Sequence, residues 1–162
     1  MTDPAFIGRA VKLIRGHSLE DFEVGRLFEH HWGRTITEGE NATFTTLTLN
    51  VNPHYFNAEY ARAHGHPGVV INPMLVFNVL LGLSAEDLIE GGGALLGVDT
   101  LTFRVPVYPG DTLTARSTVL DRRDSKSRTD CGIVTCLTEG YNQHGVRVID
   151  FKRVCLKPKR LA

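Results

Sequence analysis

The segment Ile71–Ser84, INPMLVFNVLLGLS, decides the fold. From Met74 to Leu83 it is apolar almost all the way round, with Asn78 as the polar exception. A helix without a polar face has to be buried on all sides. Pro73 suits its first turn, where the missing N–H would be unpaired in any case. A domain built around such a helix needs other elements to wrap it, and the flanking sequence supplies them.

Downstream of Gly93 the texture changes. Residues 94–123, ALLGVDTLTFRVPVYPGDTLTARSTVLDRR, alternate apolar and polar side chains, with YPGD as a turn between two runs. Residues 132–158, GIVTCLTEGYNQHGVRVIDFKRVCLKP, give two more alternating runs separated by NQHG. Alternation broken by turn residues describes a meander of antiparallel strands. Upstream, a strand-like run covers Leu27 to Thr35. Thr37 with Glu40 then forms a capping box, in which hydroxyl and carboxylate satisfy free amides at a helix start. That helix is expected to carry Phe44 and Leu47 on its inner side and to end near Asn50, before the Asn52-Pro53 break. Asn57 caps a short helix to Ala63. HGHPGVV, residues 64–70, reads as a turn, Ser84 with Asp87 marks one more helical turn, and EGGG from Glu90 to Gly93 closes the helical half. Helices first and strands after make an α+β fold, a long antiparallel sheet curled around the buried helix. With no repeat or linker, residues 1–162 read as one domain, 1–20 being an N-terminal extension.

Bulk properties narrow the function. Eighteen basic residues balance eighteen acidic ones, so the positive excess that neutralises nucleic-acid phosphates is absent. Zero net charge favours an oligomer that hides apolar area. Cys131, Cys136 and Cys155 are odd in number and form no C-x-x-C pair, which supports neither a disulfide framework nor a zinc site. Cys136 and Cys155 read as small packing residues. The first residues lack a signal peptide's apolar core and cleavage site, and no apolar run is long enough for a bilayer. The expectation is a cytoplasmic protein that binds neither membrane nor nucleic acid.

Several stretches resemble the MaoC-like dehydratases and (R)-specific enoyl-CoA hydratases of the hot-dog fold. They are DFEVGRLF with RTITEGE, then NVNPHYFNAEYA, GHPGVVINPML and GVDTLTFRVPVYPGDTLTARSTVLDRR. The F-x-x-P-V-x-x-G-D-T-L segment, Phe103 to Leu113, is the most characteristic. The resemblance runs from about Asp21 to Arg153. It implies an acyl-thioester substrate carried by coenzyme A or an acyl carrier protein, and no cofactor beyond the coenzyme A of the substrate. It also implies a homodimer or higher homo-oligomer with sheets paired edge to edge.

The family motif reads D-x-N-P-x-H-x-D. Hydration needs one group to take a proton from water and one to deliver a proton to the α-carbon. The enolate-like thioester oxygen needs a preorganised donor, which the family takes from a backbone N–H at the start of the buried helix, within an H-G-M-like sequence. Here Asn50 takes the aspartate position, Tyr55 the histidine position and Asn57 that of the second aspartate, while Asn52 and Pro53 match. Asn72-Pro73-Met74 replaces His-Gly-Met, and Pro73 has no N–H to offer.

Asn50, His54 and Tyr55 are therefore the catalytic candidates, and Asn52, Asn72 and Met74 the substrate-binding ones. His54 reads evenly as a base that has moved in beside the vacated position or as a helix-start histidine facing solvent. Tyr55, a poor base with an ordinary pKa of about 10, orients water or the thioester carbonyl, or packs as a half-buried ring, the latter reading being slightly favoured. Asn50 and Asn72 contribute positioning at most, and Asn50 also suits a turn cap. His64 and His66 have no carboxylate or cysteine at ligand spacing, so no metal is expected and a polar loop is the favoured reading. His30-His31 is expected at the surface. KPKR, residues 157–160, meets coenzyme A phosphates, as Arg104, Arg122 or Arg123 would, or forms a solvated tail, the more common outcome.

The reading taken forward is an enzyme that hydrates or dehydrates an enoyl/3-hydroxyacyl thioester with non-standard proton-transfer groups. Two alternatives stand beside it. One is a non-catalytic acyl-CoA-binding or assembly subunit. The other is a hot-dog thioesterase, for which Glu59 is the nearby carboxylate.

Overall fold

The computed structural model of the chain describes residues 16–160, so most of the expected N-terminal extension lies outside the described residues. A 3-10 turn at Leu19–Asp21 leads to β1 (Leu27–Glu29) and β2 (Arg34–Thr35), then α1 (Glu38–Leu47). A second 3-10 turn, Pro53–Tyr55, precedes α2 (Ala58–Ala63), α3 (Pro73–Leu83) and α4 (Ala85–Leu88). The long strands follow: β3 (Ala94–Phe103), β4 (Thr112–Asp124), β5 (Cys131–Tyr141) and β6 (Arg147–Pro158). They form an antiparallel sheet in the order β1-β4-β5-β6-β3, with β2 also paired to β4.

This is the expected helix in a curled sheet. Val76, Val79 and Leu80 of α3 meet Leu113, Ile149 and Phe151 from the sheet's inner face in one core cluster. Phe77 stands edge-on to Phe151 with ring centroids 5.0 Å apart. Burying each such side chain stabilises by about 1.5–3 kcal/mol. The helix packs tightly on the sheet at Gly140, where a Cβ would fall 2.6 Å from Leu80 Cδ1 and 2.8 Å from Ile149 Cγ2. The three cysteines are buried and free, and burial pushes the Cys136 thiol up to about 12.

The structure corrects several expectations. Helix α3 is not closed on all sides: Met74 is 43% exposed, and with Asn78 and Gly82 it forms an open row at four-residue spacing. The capping box at Thr37 and Glu40 is present, but α1 ends at Leu47 rather than near Asn50. Its buried residues are Asn41 and Thr45, while Leu47 is 79% exposed. Asn41 faces inward there because it satisfies backbone groups of neighbouring loops, whereas the Thr45 hydroxyl is buried without a partner. The run Leu27 to Thr35 breaks into two short strands on β4. His30 is buried rather than at the surface, bonded to Asp87 of α4. Lys157 is buried too, its ammonium donating to the Glu90 carbonyl at 3.0 Å, so KPKR is not a free tail. Arg160 pairs with Asp21 and Lys159 with Asp124. Among the described residues no helix is long and apolar enough to cross a membrane.

Candidate active-site cleft

Asn41, fully buried on α1, organises the loops that wall a cleft. Its amide nitrogen donates to the carbonyls of Tyr55 at 2.8 Å and Val70 at 3.0 Å. Its oxygen accepts the backbone N–H of Asn72 at 2.8 Å. The N–H of Val70 in turn donates to the His54 carbonyl at 2.8 Å, and that of Ile71 to Val107 at 2.8 Å. One side chain thus fixes the Pro53–Tyr55 turn, the approach to α3 and the α3 start relative to one another. Buried amides that complete such accounts are costly to remove, because each loop carbonyl would be left unpaired.

The cleft measures about 350 Å³, with Val70, Ile71, Val76, Val107 and Val148 among its apolar walls and Asn52, His54, Tyr55, His66 and Arg104 among its polar ones. Asn52 caps the 3-10 turn: its Oδ1 accepts the His54 backbone N–H at 3.1 Å and lies 3.0 Å from His54 Nδ1. An amide oxygen can only accept, so His54 donates from Nδ1, and in the neutral imidazole the lone pair lies on Nε2. Burial pushes the Tyr55 phenol above its ordinary pKa, against a weaker opposite effect of Asn52, and keeps it a neutral donor. His66 Nδ1 lies 3.0 Å from the Tyr108 hydroxyl. The His54 and His66 rings stand perpendicular, centroids 5.5 Å apart. Arg104 makes a two-point pair with Asp150, at 2.5 and 3.1 Å, which holds that carboxyl below its usual range.

The start of α3 offers no free backbone donor. Pro73 has none, the Met74 N–H donates to Asn72 Oδ1 at 3.0 Å, and the N–H groups of Leu75 and Val76 both reach the Asn72 carbonyl. Asn72 is fully buried and its Nδ2 has no partner.

Of the residues singled out from sequence, Asn52, His54 and Tyr55 come together in the cleft. Asn50 and Met74 instead line a separate depression with Leu49 and Asn78, and Asn72 is sealed at the helix start. Glu59 pairs with Arg62 at the surface, with its side chain 85% exposed, and is not part of the cleft wall. Arg122 donates to the Leu19 and Glu20 carbonyls. Sequence reasoning missed Asn41, whose buried role no periodicity signals. It also assigned His66 to a polar loop, although the residue stands just before the chain enters the core at Val69.

A second constellation lies under β1. His30 Nδ1 is 2.6 Å from Asp87 Oδ2, His30 Nε2 is 2.9 Å from Ser117 Oγ, and Ser117 meets Thr138 at 2.8 Å. The connectivity matches a Ser-His-Asp relay, but Ser117 is fully buried on the inner face of β4, so the network ties α4 to the sheet. Among the described residues no group of three His, Cys, Asp or Glu is placed to hold a metal ion.

Comparison with known proteins places this cleft in context. The family model described as mesaconyl-CoA hydratase matches residues 2–162. The mesaconyl-CoA hydratase of Haloarcula marismortui is 34% identical over 160 residues, covering 98% of this chain and 45% of that protein. The chain thus spans about half the length of the curated relatives it matches. The crystal structure of a putative MaoC domain dehydratase from Chloroflexus aurantiacus superposes with a TM-score of 0.86 at 32% identity, covering 94% of this chain and 43% of that one. A Mycobacterium tuberculosis protein described as a double hot-dog fold gives a TM-score of 0.78 at 24% identity, over 90% of this chain and 45% of that one. The last likeness establishes the hot-dog fold alone.

Proposed function

This chain belongs to the mesaconyl-CoA hydratase family, and from that membership we propose that it hydrates an enoyl thioester, or dehydrates the 3-hydroxyacyl thioester, of coenzyme A. The observation that carries the reading is His54 in the cleft wall, its Nδ1–H held by Asn52 Oδ1 at 3.0 Å. That bond leaves the Nε2 lone pair to take a proton from water, as a general base must. Tyr55, neutral because of its burial, donates to the thioester oxygen in place of the amide that α3 does not supply. Arg104 at the cleft wall spends Nε and Nη2 on Asp150, which leaves Nη1 as the donor for the free carboxylate of a mesaconyl-type acyl group. The reaction takes no cofactor beyond the coenzyme A of its substrate, and the protein works in the cytoplasm.

The test is turnover of mesaconyl-CoA and crotonyl-CoA, followed by loss of enoyl-thioester absorbance. Wild type is expected to hydrate at least one, and His54→Gln to lower kcat by about 10²- to 10⁴-fold. Binding of both thioesters without turnover would overturn the reading.

That outcome would favour a second reading, an acyl-thioester-binding unit that works beside another hot-dog unit. One observation supports it: the first turn of α3 has no free backbone N–H. In either reading the chain pairs through β3, an edge strand of the sheet.

A further inference from the structure

In the hydration reading His54 removes a proton from water and the α-carbon receives one, which either the same imidazole returns or a second donor supplies. The titratable side chains in the cleft wall are His54, Tyr55, His66 and Arg104. Arg104 is bound to Asp150 and does not release protons, and Tyr55 is too weakly acidic. His66 remains. It is half-buried in the turn before α3, and its Nδ1 lies 3.0 Å from the Tyr108 hydroxyl. Tyr108 is itself anchored, its backbone N–H donating to Asp111 Oδ2 at 2.9 Å. A phenol oxygen accepts the Nδ1–H of an imidazolium, which leaves the Nε2–H as the only proton that ring can give away.

We propose that His66, oriented by Tyr108, is the second proton-transfer residue of this cleft and works as a pair with His54. The rest of the proposal builds on the hydration reading. Centroids 5.5 Å apart put the two rings close enough to meet adjacent carbons of one bound enoyl group. His54 Nε2 takes a proton from water as its oxygen bonds to C3. The π electrons of the C2–C3 bond move to C2 and the thioester oxygen, and C2 takes the His66 Nε2 proton. The pair ends with its proton on His54 and returns to the starting state by exchange through solvent. The groups facing His54 are Tyr60 and His64 of the α2 segment, with ring centroids at 4.9 and 5.2 Å, besides His66. His66 faces His54 and Tyr108, and Arg104 shares the cleft.

The pH profile of crotonyl-CoA and mesaconyl-CoA hydration tests the assignment in wild type, His54→Gln, His66→Gln and Tyr108→Phe. Activity needs His54 neutral and His66 protonated, so wild type gives a bell. His66→Gln is expected to lose the alkaline limb and about 10²- to 10⁴-fold in kcat with KM little changed. His54→Gln loses the acidic limb. Tyr108→Phe, acting only through His66, lowers kcat about tenfold and moves the alkaline limb to lower pH. Melting temperatures separate misfolding from chemistry, and added imidazole should restore part of the His66→Gln rate. An active wild type whose His66→Gln variant keeps its kcat and both limbs overturns this proposal and leaves the hydration reading standing. A wild type that binds the thioesters without turning them over overturns both.

Discussion

Arg153 sits on the inner face of β6, fully buried, and its Nε, Nη1 and Nη2 have no hydrogen-bond partner. The Phe151 ring, 5.8 Å from the guanidinium carbon, is the cation–π contact it makes, and burial pushes its pKa down. A buried charge without a partner loses several kcal/mol of hydration that nothing nearby returns. Arg153→Met fills similar volume without a charge. It should raise unfolding free energy by about 1–4 kcal/mol in urea titrations at neutral pH, and a loss of stability would show that the guanidinium does find a partner in solution. His30 makes the opposite case, being fully bonded. Burial lowers its pKa, Asp87 opposes that, and Arg153 and His31 add to it. The unfolded chain therefore takes up this proton first, near pH 6.5. Stability is full above that value and declines as pH falls from there toward the folded-state pKa, by at most about 1.4 kcal/mol per pH unit. In His30→Gln, which is expected to be less stable at pH 7, that part of the acid slope disappears. An unchanged slope between pH 6.5 and 5 would refute the assignment.

Among the elements, α3 and the strand beneath it show how packing was fixed. Gly140 leaves no room for a methyl group between β5 and Leu80, and Leu80 is fully buried. Gly140→Ala is therefore expected to lower stability by about 1–3 kcal/mol, read from the denaturation midpoint, and a neutral result would mean that α3 can lift from the sheet. The sequence pattern revealed these elements where burial followed apolarity. Alternation marked β4 to β6, and the apolar run marked α3 within a residue of its start. It failed where polar groups are buried. Thr45 and Asn41 face inward on α1 while Leu47 faces out; Asn41 holds three loop groups, and no hydrophobic period encodes that. The same limit applied to the cleft. His54, Tyr55 and Asn52 were legible from the N-P motif and its neighbours. His66 depends on a turn folding back against Tyr108, 42 positions further along the chain, a contact that no local spacing shows.

At the scale of the whole molecule, β3 joins an open edge of the sheet to the cleft. It bonds to β6 on one side and is the last strand in the sheet order. Leu95 and Leu96 are 38% and 53% exposed along it, and Phe103 at its end, 42% exposed, also lines the cleft with Val105. A bare, partly apolar edge strand is a template for another strand, and proteins that remain monomeric usually protect it. Pairing there would extend the sheet and set a second unit against the cleft wall. A charge near the start of that edge should oppose association without disturbing the core, since Leu96 is more than half exposed. Leu96→Asp is expected to turn a dimer into a monomer at micromolar concentration by light scattering, with the melting temperature becoming independent of protein concentration. Thioester binding should weaken in the same variant, because Phe103 and Val105 would lose the surface that backs them. A Leu96→Asp protein that remains dimeric would exclude β3 as the pairing edge and move the search to the open row of Met74, Asn78 and Gly82 on α3.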